Sequence, residues 1–157
     1  MSNNIKTYIN QLPIITNDEK ELLLKHWNIK KTLQRKDFLI QPNQRAMFMH
    51  FIEKGTFRIY YDIDDNEACV GFGYPNTSIL AYRSFITGDV SQYFIQTLSA
   101  AELISIPRNV FLSLVDEYPR IAKMWHMVTE RALLGRIERE IDLLTPSPKE
   151  RYARLLK

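Results

Sequence analysis

Pro107 divides this chain into two kinds of sequence. Ahead of it, from about Lys30, short segments rich in β-branched and aromatic residues alternate with turn residues at roughly ten-residue spacing. Behind it the pattern turns helical: between Pro119 and Pro146 there is no proline, and Gly135 is the single glycine. Strands too short to be buried alone must pair antiparallel and close on themselves, and a long amphipathic helix must find a surface to cover. The fold class expected is therefore α+β, mainly β. It is an antiparallel β-roll (a jelly roll, or double-stranded β-helix) flanked by N-terminal helices and a long C-terminal dimerisation helix.

Within the β region, Phe38 to Ile40 is one expected strand, ended by Gln41-Pro42-Asn43. Met47 to Glu53 is another, in which Met47, Met49 and Phe51 alternate with Phe48, His50 and Ile52. Glu53-Lys54-Gly55-Thr56 reads as a hairpin turn, with Gly55 free to take positive φ. Phe57 to Ile63, Ala68 to Tyr74, Ser91 to Leu98 and Glu102 to Ile106 complete the set. Thr77 to Asp89 is too long for a hairpin loop and has room for a short helix, and long ordered loops are usually functional.

Two short helices are expected over residues 3–28. Ile5, Tyr8, Ile9 and Leu12 have helical spacing, and Pro13 ends that run. Thr16-Asn17-Asp18-Glu19 is a capping box that opens the second helix, whose Leu22, Leu23 and Trp27 would face the core. Beyond Pro107, Arg108 to Asp116 suggests a short helix. A helix from Pro119 to about Leu144 would be about 39 Å long. Its last apolar residues, Leu134, Ile137, Ile141 and Leu144, are spaced as a coiled-coil seam, which with Val128 gives the expected dimer face. Ser147-Pro148-Lys149-Glu150 opens a further helix that stops at Lys157, so more protein is expected to follow. The chain thus divides into N-terminal helices (1–29), a β-roll (30–107), a short helix and long helix (108–145), and the start of a further region (146–157).

Few chemistries fit these residues. The 157 residues carry a net charge of +3, mildly basic and compatible with nucleic acid without requiring it. Cys69 is the single cysteine, which excludes an internal disulfide and a cysteine-ligated cluster; on a strand it should be a small buried hydrophobe. His26, His50 and His126 are scattered, so the clustered histidines of a metal-dependent cupin are missing and no metal site is expected. Asp62, Asp64 and Asp65 begin like a calcium loop but lack its glycine and distal glutamate, which leaves a solvated turn. With five glycines and no nucleophile elbow, P-loop or dinucleotide fingerprint, no catalytic residues are assigned and an enzyme is not expected. The N-terminus lacks the pattern of a signal peptide, and no apolar run approaches the roughly 18 residues that span a bilayer. A cytoplasmic location without membrane attachment is the expectation.

The order of these parts resembles the cyclic-nucleotide-binding domain of the Crp/Fnr family of transcription regulators. The best-matched pieces are FIEKGTFRIYY (residues 51–61), the cassette SILAYRSFITGDVSQYFI (78–95), and the long helix opened by Tyr118-Pro119. The resemblance implies a homodimer through that helix. It also implies DNA contact through a C-terminal helix-turn-helix domain outside this chain, entered at Ser147. It implies a ligand pocket at the cassette, where nucleotide-binding members place Gly-Glu on the ribose and, about ten residues later, Arg on the cyclic phosphate. Here Leu80-Ala81 stand for Gly-Glu, and Ser91, followed by Gln92, stands for Arg. A buried phosphate needs a cation or several amide donors, and Leu80, Ala81 and Ser91 supply neither charge nor ribose acceptor. Cyclic AMP in the usual mode is therefore not expected, and no cofactor is assigned.

Two readings of the pocket stay open. A different small effector could reach Tyr82, Arg83, Ser84, Ser91 or Gln92, with Arg136 and Ile137 of the long helix facing it. Alternatively Leu80, Tyr82 and Phe85 fill the space, and the chain is a stand-alone protein-interaction module with an empty or plugged pocket.

Overall fold

The computed structural model describes residues 3–64 and 66–144. The elements are, in order, α1 (Asn3–Asn10), α2 (Asn17–His26), β1 (Ile29–Leu33), β2 (Phe38–Ile40), β3 (Phe48–Lys54), β4 (Phe57–Ile63) and β5 (Asn66–Gly73). They continue with β6 (Ser78–Ile79), α3 (Tyr82–Thr87), β7 (Phe94–Thr97), β8 (Ala101–Pro107), α4 (Arg108–Glu117) and α5 (Pro119–Leu144). Among the described residues the strands make two four-stranded antiparallel sheets, β1-β8-β3-β6 and β2-β7-β4-β5. This is the expected α+β, mainly β roll, with helices flanking the first sheet.

The double apolar alternation of β3 has a direct structural cause. Met49, His50, Phe51 and Ile52 are all buried, so the strand is covered on both faces. Phe51 turns outward, with the Tyr8 ring of α1 5.0 Å away. Met49 shares that layer with Trp27 of α2, Phe111 of α4 and Met124 of α5. Ile52 turns inward, so close to the second sheet that a Cβ on Gly73 would lie 2.9 Å from its Cδ1. The β3–β4 hairpin needs Gly55 twice over: φ is +92°, and a Cβ there would stand 2.6 Å from the Ala101 side chain.

The N-terminal helices form for local reasons. The Glu19 amide donates to the Thr16 hydroxyl, and the Thr16 amide donates to the Glu19 carboxylate at 2.7 Å, closing the capping box. Ile5, Ile9, Leu23 and Trp27 are buried, and Leu22 packs at the edge of the same cluster.

Three features depart from the sequence reading. β1 has no hydrophobic alternation, and its first four residues are exposed; the pairing of all five of its residues with Ala101 to Ser105 of β8 makes it a strand. β7 begins at Phe94 rather than Ser91. The Ser91 backbone instead pairs with the Gln41–Arg45 turn, donating to the Gln44 carbonyl at 2.7 Å and accepting the Asn43 amide at 2.9 Å. Cys69 is exposed, not buried: β5 is an edge strand, and at Cys69 its side chain points to solvent. Asp65, and the helix expected from Ser147, lie outside the described residues.

α5 has two environments along its length. In its first half Ile121 and Met124 are buried, and Trp125 and Val128 pack at the core's edge. From Glu130 to Ile141 every residue is exposed. There the Arg139 guanidinium donates to the Val70 carbonyl of β5 at 3.2 Å.

Candidate effector pocket and helix face

The cassette between β6 and β7 is held from three sides. α3 starts without a side-chain cap and ends at Gly88, which takes the left-handed conformation (φ +80°). The Arg108 guanidinium at the start of α4 donates to the Phe85 carbonyl and, at 3.1 Å, to that of Ile86, closing carbonyls that the end of a helix leaves open. Arg45 donates to the Gly88 carbonyl at 2.9 Å. Buried Ser84 accepts the Ala46 amide at 2.9 Å and donates to the Asp89 carbonyl at 2.5 Å.

A cavity of about 70 Å³ opens beside this cassette, lined by Tyr61, Arg83, Ser84, Val90, Ser91, Gln92 and Tyr93. Four of the sequence-predicted site residues therefore come together here: Arg83, Ser84, Ser91 and Gln92. The volume suits a few water molecules, well short of the roughly 300 Å³ where pockets for drug-sized ligands begin. The two serines are already engaged. The Ser91 hydroxyl donates to the Tyr93 carbonyl at 2.9 Å and accepts the Tyr93 amide at 3.2 Å. Arg83 is the single charged residue of the lining; it is exposed and has no ion pair among the described residues.

The other predicted residues lie elsewhere. Leu80 is half-buried and Ala81 buried, and both line a separate cavity inside the roll. Tyr82 is exposed and stacks on Trp125 of α5, centroids 6.1 Å apart. Phe85 is fully buried against Phe111. Leu80, Tyr82 and Phe85 therefore do not fill the cassette cavity. Tyr61 and Tyr93 narrow it, edge to face at 5.4 Å. Sequence reasoning missed both, although a signal existed: Tyr93 follows Ser91 by two residues, the spacing that puts side chains on one face of an extended segment. Burial pushes the Tyr93 phenol up, Tyr61 adding to the effect, while the Tyr82 backbone and the charge of Arg136 act in the other direction. Arg136 is thus near enough to be felt at the cavity, although it does not line it; it pairs with Glu140 at 3.3 Å. Ile137 is exposed on α5.

The predicted helix seam splits in the same way. Val128 packs against its own core, whereas Leu134, Ile137, Ile141 and Leu144 are exposed, joined by Leu133. Among the described residues no cluster of histidine, cysteine or carboxylates is arranged to hold a metal, and no helix is long and apolar enough to cross a membrane.

The chain is thus a two-sheet antiparallel roll with a pinned helical cassette, on which the first half of a long helix packs. The family model for the cyclic nucleotide-binding domain matches residues 30–118, and the chain belongs to that family. Solved structures agree at the level of fold. A cyclic nucleotide-binding domain from Methylobacillus flagellatus superposes with a TM-score of 0.75 at 15% identity, covering 91% of this chain and 82% of that one. The Catabolite Activator Protein of Thermus thermophilus gives 0.67 at 16% identity; the match covers 83% of this chain and 61% of that one. The global regulator CLP of Xanthomonas campestris, described as responsive to c-di-GMP, gives 0.65 at 20% identity over 90% of this chain and 70% of that one. No curated protein sequence matches the chain.

Proposed function

We propose that this chain is the effector-sensing and dimerisation domain of a Crp/Fnr-like transcription regulator. It acts in the cytoplasm without catalysis and does not bind cyclic AMP in the family's usual mode. The observation that carries this reading is the second half of α5. Leu134, Ile137, Ile141 and Leu144 form an exposed apolar seam on the helix whose first half is built into the roll. A helix with one half in its own core and an apolar stripe in solvent fits a homodimer in which two copies of α5 pair. DNA would be contacted by a helix-turn-helix region following α5, and a change in how the roll sits on α5 would alter the spacing of two such heads.

The cassette supports the negative half of the proposal. Ser91, in the place of the phosphate-binding arginine, has its hydroxyl committed to Tyr93, and the cavity it borders is about 70 Å³. That small volume also favours a second reading, a stand-alone protein-interaction module whose cassette pocket is closed. Light scattering and calorimetry test both parts. A dimer at micromolar concentration with no heat on titration of cyclic AMP is expected. A monomer refutes the helix reading, and micromolar cyclic AMP affinity refutes the pocket reading.

A further inference from the structure

A second and larger cavity, about 190 Å³ and open to solvent, is lined by strands of both sheets. One wall is Lys31 of β1 with Phe48 and His50 of β3; the other is Leu39 and Ile40 of β2 with Ile95 of β7. The segment Arg45–Met47 and the pair Leu80–Ala81 close its end. None of these residues belongs to the cassette cavity lined by Arg83, Ser91 and Tyr93.

The chemistry of the lining is uneven. Its depth is apolar: Ile40, Ala46, Ala81 and Ile95 are buried. The one polar group in that depth is His50. Its Nδ1 lies 2.7 Å from the Ser105 hydroxyl, which leaves Nε2 without a hydrogen-bond partner among the described residues. Desolvation, reinforced by the charge of Lys31, keeps this ring neutral at physiological pH. The rim is cationic: Lys31 and Arg45 are exposed there, and the lining contains no aspartate or glutamate. Lys31 has no ion pair among the described residues, while Arg45 is steadied by its bond to the Gly88 carbonyl.

We propose that this cavity is a binding site for a small monocarboxylate with an apolar body. The carboxylate would lie at the rim between Lys31 and Arg45, and the body against Phe48, Leu39 and Ile95. Size supports the assignment: a cavity of about 150 Å³ accepts benzene, so 190 Å³ has room for a ring or a short chain beneath the carboxylate. Charge supports it too. Two cations without a lining carboxylate favour an anion, and a neutral imidazole in an apolar depth disfavours a cationic or strongly polar body. The site stands whether or not α5 pairs, because every lining residue belongs to the roll.

The test uses the full chain and two probes, benzoate and hexanoate, followed by NMR. Saturable shifts at the His50 ring and at the Ile40 and Ile95 methyls are expected, with a Kd near or below about 1 mM for at least one probe. Lys31 is exposed, so Lys31→Gln should fold normally, and it should weaken binding about tenfold or more, as loss of a charged hydrogen-bond partner does. Benzyl alcohol, the neutral counterpart of benzoate, should bind correspondingly more weakly. Three outcomes would overturn the proposal: no saturable shift with either probe, shifts centred on Tyr61 and Tyr93, or unchanged affinity in Lys31→Gln.

Discussion

Ser84 and Ala46 join the cassette helix to the turn that precedes β3. The Ala46 amide donates to the Ser84 hydroxyl at 2.9 Å, and both residues are buried. The same hydroxyl donates to the Asp89 carbonyl, so one oxygen satisfies a donor and an acceptor that water cannot easily reach.

Ser84→Ala should therefore cost more than a surface change. It leaves the Ala46 amide and the Asp89 carbonyl without this partner, a loss of about 1–3 kcal/mol. Urea denaturation monitored by circular dichroism should show a lower midpoint at unchanged slope.

Acid should destabilise the roll through His50. Burial first, and the charge of Lys31 second, lower its pKa from 6.5 to about 3. Because the folded value is depressed, the unfolded chain binds the extra proton between these two values. Stability is then undiminished above about pH 6.5 and falls as pH drops toward 3. The loss from this residue should reach about 2 kcal/mol by pH 5. Denaturation of His50→Gln beside the parent at pH 7 and pH 5 isolates it: the parent should lose more stability on acidification by roughly that amount, and equal losses would refute the assignment.

Ile137→Glu combined with Ile141→Glu should convert dimer to monomer without unfolding the roll. Both side chains are exposed in the single chain, so the substitutions add little strain to it. In a paired seam they would bury unpaired carboxylates and weaken association about a hundredfold or more. Sedimentation should report a monomer whose circular dichroism matches the parent.

Cys69 should react with a thiol reagent in the native protein. The side chain is exposed on edge strand β5, and its thiol donates only weakly, to the Gly71 carbonyl at 3.6 Å. One equivalent should be modified at a rate within about an order of magnitude of the denatured protein. Protection of the thiol until denaturation would contradict the placement.

How much was legible in the sequence follows from how local each signal is. The Thr16–Glu19 box, the Gly55 turn and the course of α5 depend on neighbouring residues, and these elements stand where the sequence placed them. The inward and outward sets of β3 were visible as alternation, because a strand covered on both faces writes two apolar rows at once. β1 was invisible because its pairing, not its composition, makes it a strand. Cys69 misled because burial depends on where a strand lies in its sheet, which the sequence does not record locally. The site divided along the same line. Arg83, Ser84, Ser91 and Gln92 are near neighbours in sequence and meet at one cavity, whereas Tyr61 reaches it from β4. Leu80 and Ala81 were assigned to the cassette by sequence position, but the chain turns between Ala81 and Arg83 and sends them into the roll.

The double burial of β3 makes it a party wall. Met49 and Phe51 belong to the rooms occupied by α1, α2, α4 and α5, while His50 and Ile52 belong to the interior of the roll, and all four hang from one stretch of backbone. Whatever presses on one side of that wall displaces the footing of the other. News from the roll interior therefore has a route to the helices across the thickness of one strand.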